Sequence, residues 1–424
     1  MNNKKKWLYL PIEVKVRELD AKLLLSYYAL REGYRVVLGE HQMVELAANT
    51  LPKGIFFSKG YTHGYRQRVI TNAHAAGHKI VELDEEGFLV SDQKKYMRDR
   101  MKADMLELVS QEYCWGDYQK DIIIQKRPNR KNMCYVTGSP RLDLLKPKFQ
   151  YLFKEEVNRL KGKFGTFILI NTRFTSYNYM KGKKENTDAV TVYMKKLYES
   201  FLQLIHTMAV RYPDVNIVIR PHPGENSKSY QKEFTSYPKV HVLHQGNIIN
   251  WLAAAKVVIH NGCTSSIEAF LLGKSTISYL PIVSKEFDVE LANQLGIKAS
   301  TIAEVHSILD KIIINGDFTR VSEEQYAPEN RQLLDHYSPV LKETFTYNKI
   351  LKLMNKLPVD AAGDSSPKQP MKVRFNAKLK YVFPSLYRKE IWAFYKKMDK
   401  LERNISHLTI EQLGDNLFKI ERID

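Results

Sequence analysis

Short apolar runs, each followed by a polar turn and a stretch of helical periodicity, recur along most of this chain. Such alternation predicts βα units around parallel sheets: a strand covered on both faces reads as a continuous apolar run, whereas its covering helix is apolar on one stripe only. Strands are predicted at residues 7–11, 35–38, 54–58 and 79–83, with helices at 20–32, opened by Asp20 and closed by Gly33, and at 66–76, closed by Gly77. Short strands follow near Cys114 and Cys134. Beyond a lysine-rich stretch at 146–163 the rhythm resumes, with strands at 166–171, 215–220, 240–243, 257–260 and 276–280 and helices at 193–212, 248–255 and up to Leu272.

A chain of 424 residues exceeds what one core sustains, so this rhythm is divided into two Rossmann-like lobes, residues 1–150 and 151–356. Loops at strand carboxyl ends then place a ligand in a cleft between the lobes. Residues 361–370 (AAGDSSPKQP) read as a linker, and 357–424 as linker plus a helical basic tail. The tail interleaves Lys372, Arg374, Lys378 and Lys380 with Phe375, Tyr381, Phe383, Tyr387, Trp392, Phe394 and Tyr395, a mixture that suits an anchor on anionic lipid.

The net charge of +18 requires an anionic partner or solvent, and no recognition-helix, zinc-finger or RNP pattern accompanies it, so nucleic acid is not expected. Three cysteines without a CxxC spacing argue against a disulfide framework or zinc site and suit a reducing cytoplasm. There is no apolar run of membrane-spanning length, and Glu13 and Lys15 cut the first apolar stretch too short for a secretory signal. The expected location is cytoplasmic, peripheral on the inner face of the cytoplasmic membrane.

Three constellations carry candidate chemistry. The strand at 215–220 ends in Arg220-Pro221-His222-Pro223, where prolines fix the backbone around an imidazole; it suits a hydrogen bond to a phosphate or general acid catalysis as that phosphate leaves. A loop histidine with a structural role fits the same spacing. Asn261-Gly262-Cys263-Thr264-Ser265-Ser266 joins a strand to a helix, so its N–H groups and hydroxyls suit an anion, or an ordinary helix cap. Glu82, Asp84, Glu85 and Glu86 crowd one strand end before Gly87; their repulsion is expected to raise one pKa and yield a general base, unless the segment is a solvated acidic turn. Lesser candidates are Gly138, Ser139 and Arg141 near a phosphate, Asn171, Thr172 and Arg173 at another strand end, and Glu18, Asp20 and Lys59 toward an acceptor; caps and turns explain these equally well.

Taken together, Glu85-Glu86-Gly87, His222-Pro223 and Ser265-Ser266 resemble the acid-acid-glycine, HP and serine motifs of bacterial GT-B sialyltransferases and capsular polysialyltransferases. More broadly, LPIEVKVRELDAKLLL, VVLGEH, KGIFFSKG, IVELDEEG, TGSPRLD, RPHP and NGCTSSIEAFLLGK resemble the bacterial surface carbohydrate biosynthesis family, whose relatives include transferases of pseudaminic and other nonulosonic acids. This resemblance implies a GT-B α/β fold, a CMP-sugar donor, a glycan or lipid-linked acceptor, no cofactor and no obligatory metal. By the same resemblance Glu86 or Glu85 activates the acceptor hydroxyl, while His222, Ser265 and Ser266 hold the donor phosphate. TGSPRLD, RPHP and the hydroxyl-rich loop also resemble CDP-glycerol glycerophosphotransferases, the alternative. A membrane-bound scaffold or nucleic-acid-binding protein would leave the acidic cluster and RPHP without a role.

Overall fold

A computed structural model describes residues 4–87, 93–179, 182–183, 188–316, 323, 325–372 and 382–423. The chain forms two compact units, Met1–Leu152 with Asp335–Asp424, and Phe153–Leu334. The first opens with six parallel strands, β1 (Lys6–Ile12), β2 (Tyr34–Glu40), β3 (Ile55–Ser58), β4 (Lys79–Leu83), β5 (Gln111–Cys114) and β6 (Cys134–Val136), in the order β2-β1-β3-β4-β5-β6. The first apolar stretch of the chain is thus a buried strand, with Trp7, Leu8, Tyr9 and Leu10 inaccessible to solvent.

The first helix spans Lys15–Arg31, five residues longer at its start than the sequence pattern predicts, and Asp20 lies inside it rather than at its cap. The reason is a side chain that reaches backward. Glu18, in the first turn, accepts the Glu13 N–H at 2.9 Å and so ties the helix to the residue before its N-cap, Val14, which makes no side-chain capping bond.

The second unit repeats the architecture. Its strands are β7 (Phe167–Asn171), a small hairpin of β8 (Asn178–Tyr179) and β9 (Gly182–Lys183), β10 (Asn216–Arg220), β11 (Val240–Val242), β12 (Val257–His260), β13 (Ser275–Tyr279) and β14 (Ile297–Ala299). Outside the hairpin they form a parallel sheet ordered β11-β10-β7-β12-β13-β14. Alternate residues of β7 face two cores: Ile168 and Ile170 pack with Leu197, Phe201 and Ile205 of the helix Ala189–Arg211, Phe167 and Leu169 with Leu160, Trp251 and Leu252. Both faces are covered, hence the unbroken apolar strands.

The chain after Leu334 departs from expectation. Residues 335–356, assigned by pattern to the second lobe, belong to the first unit. Tyr347 stacks on Tyr28 at 3.8 Å, and the Tyr347 N–H donates to Asp143 at 3.0 Å. The described residues of 357–424 are not an appendage either. The strands β15 (Leu408–Gly414) and β16 (Leu417–Arg422) form an antiparallel hairpin that extends the first sheet beyond β2, with Phe418 opposite Leu38 and Ile420 opposite Val36. The helix Arg388–Glu402 buries Ile391, Phe394, Tyr395 and Met398, and Tyr395 shares a 2.7 Å hydrogen bond with Ser26. Phe383, Phe394 and Tyr395, expected at a lipid surface, therefore face protein, while Tyr387 remains exposed. Composition concealed the cause: LTIEQLG and LFKIER alternate with period two and close an otherwise open sheet edge. Arg374, Phe375, Lys378, Lys380 and Tyr381 lie outside the described residues. Among the described residues no helix is long and apolar enough to cross a membrane.

Integration of the carboxyl-terminal hairpin has a measurable consequence. Phe418→Ala should lower the unfolding free energy in urea by about 3–5 kcal/mol, the usual cost of emptying a buried phenylalanine site; a residue in a free tail would change it by less than about 0.5 kcal/mol.

Candidate functional site

The carboxyl ends of β10, β7 and β12 lie side by side, with Asn171 in register with both Arg220 and His260. The loops leaving them carry the candidate residues of the second unit. A carboxylate organises two of these loops. Glu225, buried, accepts through one oxygen from the Thr172 hydroxyl at 2.8 Å and from the backbone N–H groups of Phe174 at 3.0 Å and His222 at 3.2 Å; its other oxygen accepts from the Tyr230 hydroxyl at 2.6 Å. Burial raises the Glu225 pKa, and these four donors oppose the rise. Sequence reasoning passed over Glu225; its signal was an acid three residues beyond His222 in a segment otherwise short of acids.

That carboxylate sets the backbone of the Arg-Pro-His-Pro turn, on which His222 and Pro223 are exposed while Pro221 is buried. The imidazole is oriented by its own turn: the Gly224 N–H donates to Nδ1 at 3.1 Å, and the Thr175 hydroxyl lies 3.2 Å from the same nitrogen. An N–H can only donate, so Nδ1 is the acceptor and the ring hydrogen of the neutral imidazole resides on Nε2. His222 is thus arranged as a hydrogen-bond donor through Nε2. Acting as a general acid would first require a proton on Nδ1, against the Gly224 N–H.

The neighbouring loop presents fewer groups than its composition suggests. Ser266 is fully buried and donates to the Ala292 carbonyl at 3.1 Å; Ser265 accepts from Asn171 Nδ2 at 2.8 Å and touches the Cys263 sulfur at 3.0 Å. Both serines, expected to hold a phosphate, therefore serve the fold. Thr264, at the N-cap of the helix Ser265–Leu271, makes no capping bond and keeps its side chain half-buried. Asn171 and Thr172 are buried in the contacts already named. Arg173 donates to the Asn261 carbonyl at 2.7 Å, to its side-chain oxygen at 3.1 Å and to the Phe287 carbonyl at 3.1 Å, clamping two loops rather than reaching outward. Gly262 permits that clamp: its φ is +57°, and a Cβ there would lie 2.7 Å from Arg173 Nε. Arg220 donates to the Gln245 and Gly246 carbonyls at 2.6 and 3.0 Å and lies over the Trp251 ring; burial lowers its pKa to about 10.

In the first unit, the four acids at the end of β4 do not crowd one another. Each meets a cation contributed by another segment: Glu82 pairs with Arg66, Asp84 is gripped by Arg100, Glu85 lies 2.8 Å from Lys22, and Glu86 faces Arg17 at 3.3 Å and Arg100 at 3.7 Å. The expected mutual repulsion is corrected accordingly. Side-chain exposure separates the two candidate bases, 38% for Glu86 against 4% for Glu85. Gly87 completes the turn because the Trp115 indole packs where its Cβ would stand, 2.0 Å away. Glu18 and Lys59, expected to touch an acceptor, are buried in a network with Glu13 and Arg17. Burial pushes the Glu18 pKa up, but Lys59, Arg17 and the Glu13 N–H together hold it below the usual carboxylate range.

Gly138, Ser139 and Arg141 also lie in the first unit. Ser139 is buried as the N-cap of the short helix Pro140–Asp143, accepting from the Arg141 N–H, and Asp143 receives the returning chain at Tyr347. This turn docks residues 335–356. Among the described residues no cluster of His, Cys, Asp and Glu suited to a metal ion occurs.

No family model and no curated protein matches the sequence. Solved structures do resemble the fold. A UDP-GlcNAc 2-epimerase from Neisseria meningitidis, bound to UDP-GlcNAc, is 13% identical and covers 83% of this chain and 100% of its own, with a TM-score of 0.53. The UDP-GlcNAc 2-epimerase of Methanocaldococcus jannaschii is 11% identical, covers 83% and 99%, and has a TM-score of 0.52. At such identities the likeness establishes the fold: an α/β protein with GT-B-like relatives.

Two outcomes follow from these buried carboxylates. Glu225→Ala strands Thr172, Tyr230 and two backbone N–H groups, and should cost about 3 kcal/mol or more in urea unfolding, whereas Glu225→Gln retains an acceptor and should cost less than half of that. Burial raises the Asp143 pKa to about 6, above its ordinary 3.8, so the folded protein holds this proton more tightly than the unfolded chain. Its contribution to stability is present below about pH 4 and is lost as pH rises to about 6. Thermal melts of Asp143→Asn should show a smaller decline across that window than wild type.

Proposed function

We propose that the protein is a glycosyltransferase that moves a nonulosonic acid, of the pseudaminic, legionaminic or sialic type, from a CMP-linked donor to a surface glycan or lipid-linked acceptor. The observation that carries this reading is His222: an exposed imidazole at a strand carboxyl end, held by Glu225 and the Gly224 N–H so that Nε2 bears the hydrogen. An anionic oxygen is the natural partner of such a donor. Structural neighbours that bear names of nucleotide-sugar enzymes support a nucleotide-linked substrate, and the acid-acid-glycine, HP and serine motifs support the CMP-nonulosonate class.

In the proposed mechanism His222 Nε2–H and the Thr264 hydroxyl stabilise charge on the departing phosphate. The leaving group is a phosphate monoester with a second pKa of about 6, so it departs without a proton, and a neutral imidazole suffices. Arg220 tightens the same strand end by fixing the loop at Gln245 and Gly246. Ser265 and Ser266 act through the loop backbone rather than through their hydroxyls. In the first unit, Glu86 is the carboxylate that accepts the acceptor's proton, and Glu85 holds Lys22. The transfer, as proposed, uses protein groups alone. The neighbours' names favour one second reading, a UDP-linked sugar as substrate, and the polyol-phosphate reading predicts CDP-glycerol.

A mass-spectrometric panel of CMP-nonulosonates, UDP-GlcNAc and CDP-glycerol separates these readings, with transfer from a CMP-nonulosonate as the expected result and conversion of only another donor as the refuting one. With the active donor, His222→Ala should lower kcat by about 10²-fold or more without moving the unfolding midpoint. Glu86→Gln should lower kcat by about 10²–10⁴-fold, whereas Glu85→Gln should chiefly destabilise, by leaving Lys22 buried without its partner. Near-normal turnover of His222→Ala would remove the basis of the assignment.

A further inference from the structure

The helix Arg388–Glu402 buries one face against the first unit and divides its charges between the two sides. Each of its acids is held by a group outside the helix. Glu390 pairs with Lys15 at 2.6 Å, Asp399 accepts from the Tyr27 and Ser406 hydroxyls at 2.8 and 2.6 Å, and Glu402 pairs with Lys148 at 2.7 Å. The bases turn outward instead. Lys389, Lys396 and Arg403 recur at a spacing of seven, two helical turns, and so lie along one exposed stripe about 21 Å long. Arg388 is exposed beside it, and among the described residues none of these four cations meets an acid.

Helix stability does not account for that placement. Arg388 and Lys389 open the helix at the positive end of its dipole, where an acid is favoured and a base is not. Solubility does not account for it either, because a surface built for solubility intersperses both signs, whereas here the acids are withdrawn to the protein side. Exposed apolar groups flank the stripe. At its start Lys389 Nζ lies 5.6 Å from the centre of the exposed Tyr387 ring; toward its end Lys400 Nζ lies 5.3 Å from that of the exposed Tyr151, and Ile405 follows, also exposed. Lysine and tyrosine each join an apolar body to a polar tip, the combination favoured at the depth of lipid headgroups.

We infer that this outward face of the helix Arg388–Glu402 is a docking surface for an anionic phospholipid bilayer. A plane of negative headgroups meets the stripe of cations along its whole length, while Tyr387, Tyr151 and Ile405 enter the interface at its two ends. The surface differs from the aromatic anchor expected from composition. Ile391, Phe394, Tyr395 and Met398 stay packed on the first unit, and the bilayer receives the helix's polar side. The surface belongs to the first unit alone and stands whether or not the CMP-donor assignment does.

Flotation of the full-length protein with phosphatidylcholine vesicles, with and without phosphatidylglycerol, tests it. Wild type should float only with the anionic vesicles, and less as salt rises. Each base near an anionic leaflet strengthens partition about fivefold, so Lys389→Gln/Lys396→Gln/Arg403→Asn should weaken it about 10²-fold without moving the urea unfolding midpoint. Asparagine is chosen for Arg403 because it tolerates the φ of +49° there. Lys389→Arg/Lys396→Arg should float as wild type does. Lys126→Gln/Lys131→Gln/Lys196→Gln removes equal charge from other elements and should weaken partition by less than about tenfold; a loss equal to that of the stripe variant means that net charge alone binds, and overturns the surface. So does a wild type that fails to float with phosphatidylglycerol, or a stripe variant that floats as well as wild type. Tighter binding to a single-stranded RNA than to the anionic vesicles, lost in the stripe variant, reassigns the face to nucleic acid and overturns the lipid partner.

Discussion

Four hydrogen bonds to one buried carboxylate govern the second unit's candidate chemistry. Glu225 joins the loop after β7, through Thr172 and Phe174, to the loop after β10, through His222, and to the helix Ser227–Glu233 through Tyr230. A carboxylate in a low-dielectric interior is tolerated only when its lone pairs are satisfied, so this one cannot shift without dismantling both loops. The orientation of His222 descends from that constraint. Its backbone is fixed by Glu225, its ring by the Gly224 N–H, and the resulting tautomer limits a neutral imidazole to donating a hydrogen bond. Stabilising a leaving phosphate is within its reach; delivering a proton to it is not the role this geometry prepares.

The first unit obeys the same rule with charges. Arg66 with Glu82, Lys22 with Glu85, Arg100 with Asp84 and Lys59 with Glu18 bring opposite charges into a desolvated sheet edge together, since either partner alone would be costly to bury. The consequence for chemistry is selective. Of the acidic run from Glu82 to Glu86, only the last carboxylate reaches solvent, and two arginines flank it. What looks in sequence like a cluster with one activated member is, in three dimensions, a lattice of ion pairs with one exposed corner.

These two arrangements explain how far the sequence could be read. Strands at 7–11, 166–171 and 257–260 were legible because burial on both faces leaves continuous apolar runs, and the observed β1, β7 and β12 differ from them by a residue or so at their ends. The start of the first helix was not, because Val14 stands at its N-cap without a side-chain capping bond while Asp20, inside the helix, imitates a conventional cap. The hairpin β15–β16 was hidden by reading 357–424 for composition, where lysine and aromatic content outweighed the period-two alternation. Of the expected site residues, His222 is exposed in the second unit and Glu86 is half-buried in the first. Ser266, Arg173, Glu85 and Lys59 do not reach outward, because their partners Ala292, Asn261, Lys22 and Glu18 come from other segments that spacing along the chain cannot reveal.

The same reasoning relocates the net charge of +18. Taken from composition, the surplus seemed to reside in the carboxyl-terminal tail. In the folded chain several of that segment's charged groups are engaged within the first unit: Lys419 meets Asp364 and Glu411, Glu390 meets Lys15, and Glu402 meets Lys148. Charge matters to a partner only where it is both unmatched and accessible, since paired ions project little field beyond a Debye length of about 8 Å. Along the amino-terminal edge of the second sheet, lysines from five positions line concavities whose walls contain no acid. A parallel sheet makes this division natural. Its carboxyl edge gathers the loops and helix starts that suit chemistry, while its amino edge gathers helix carboxyl ends that invite lysine, and any excess of lysine there becomes an attraction for anions.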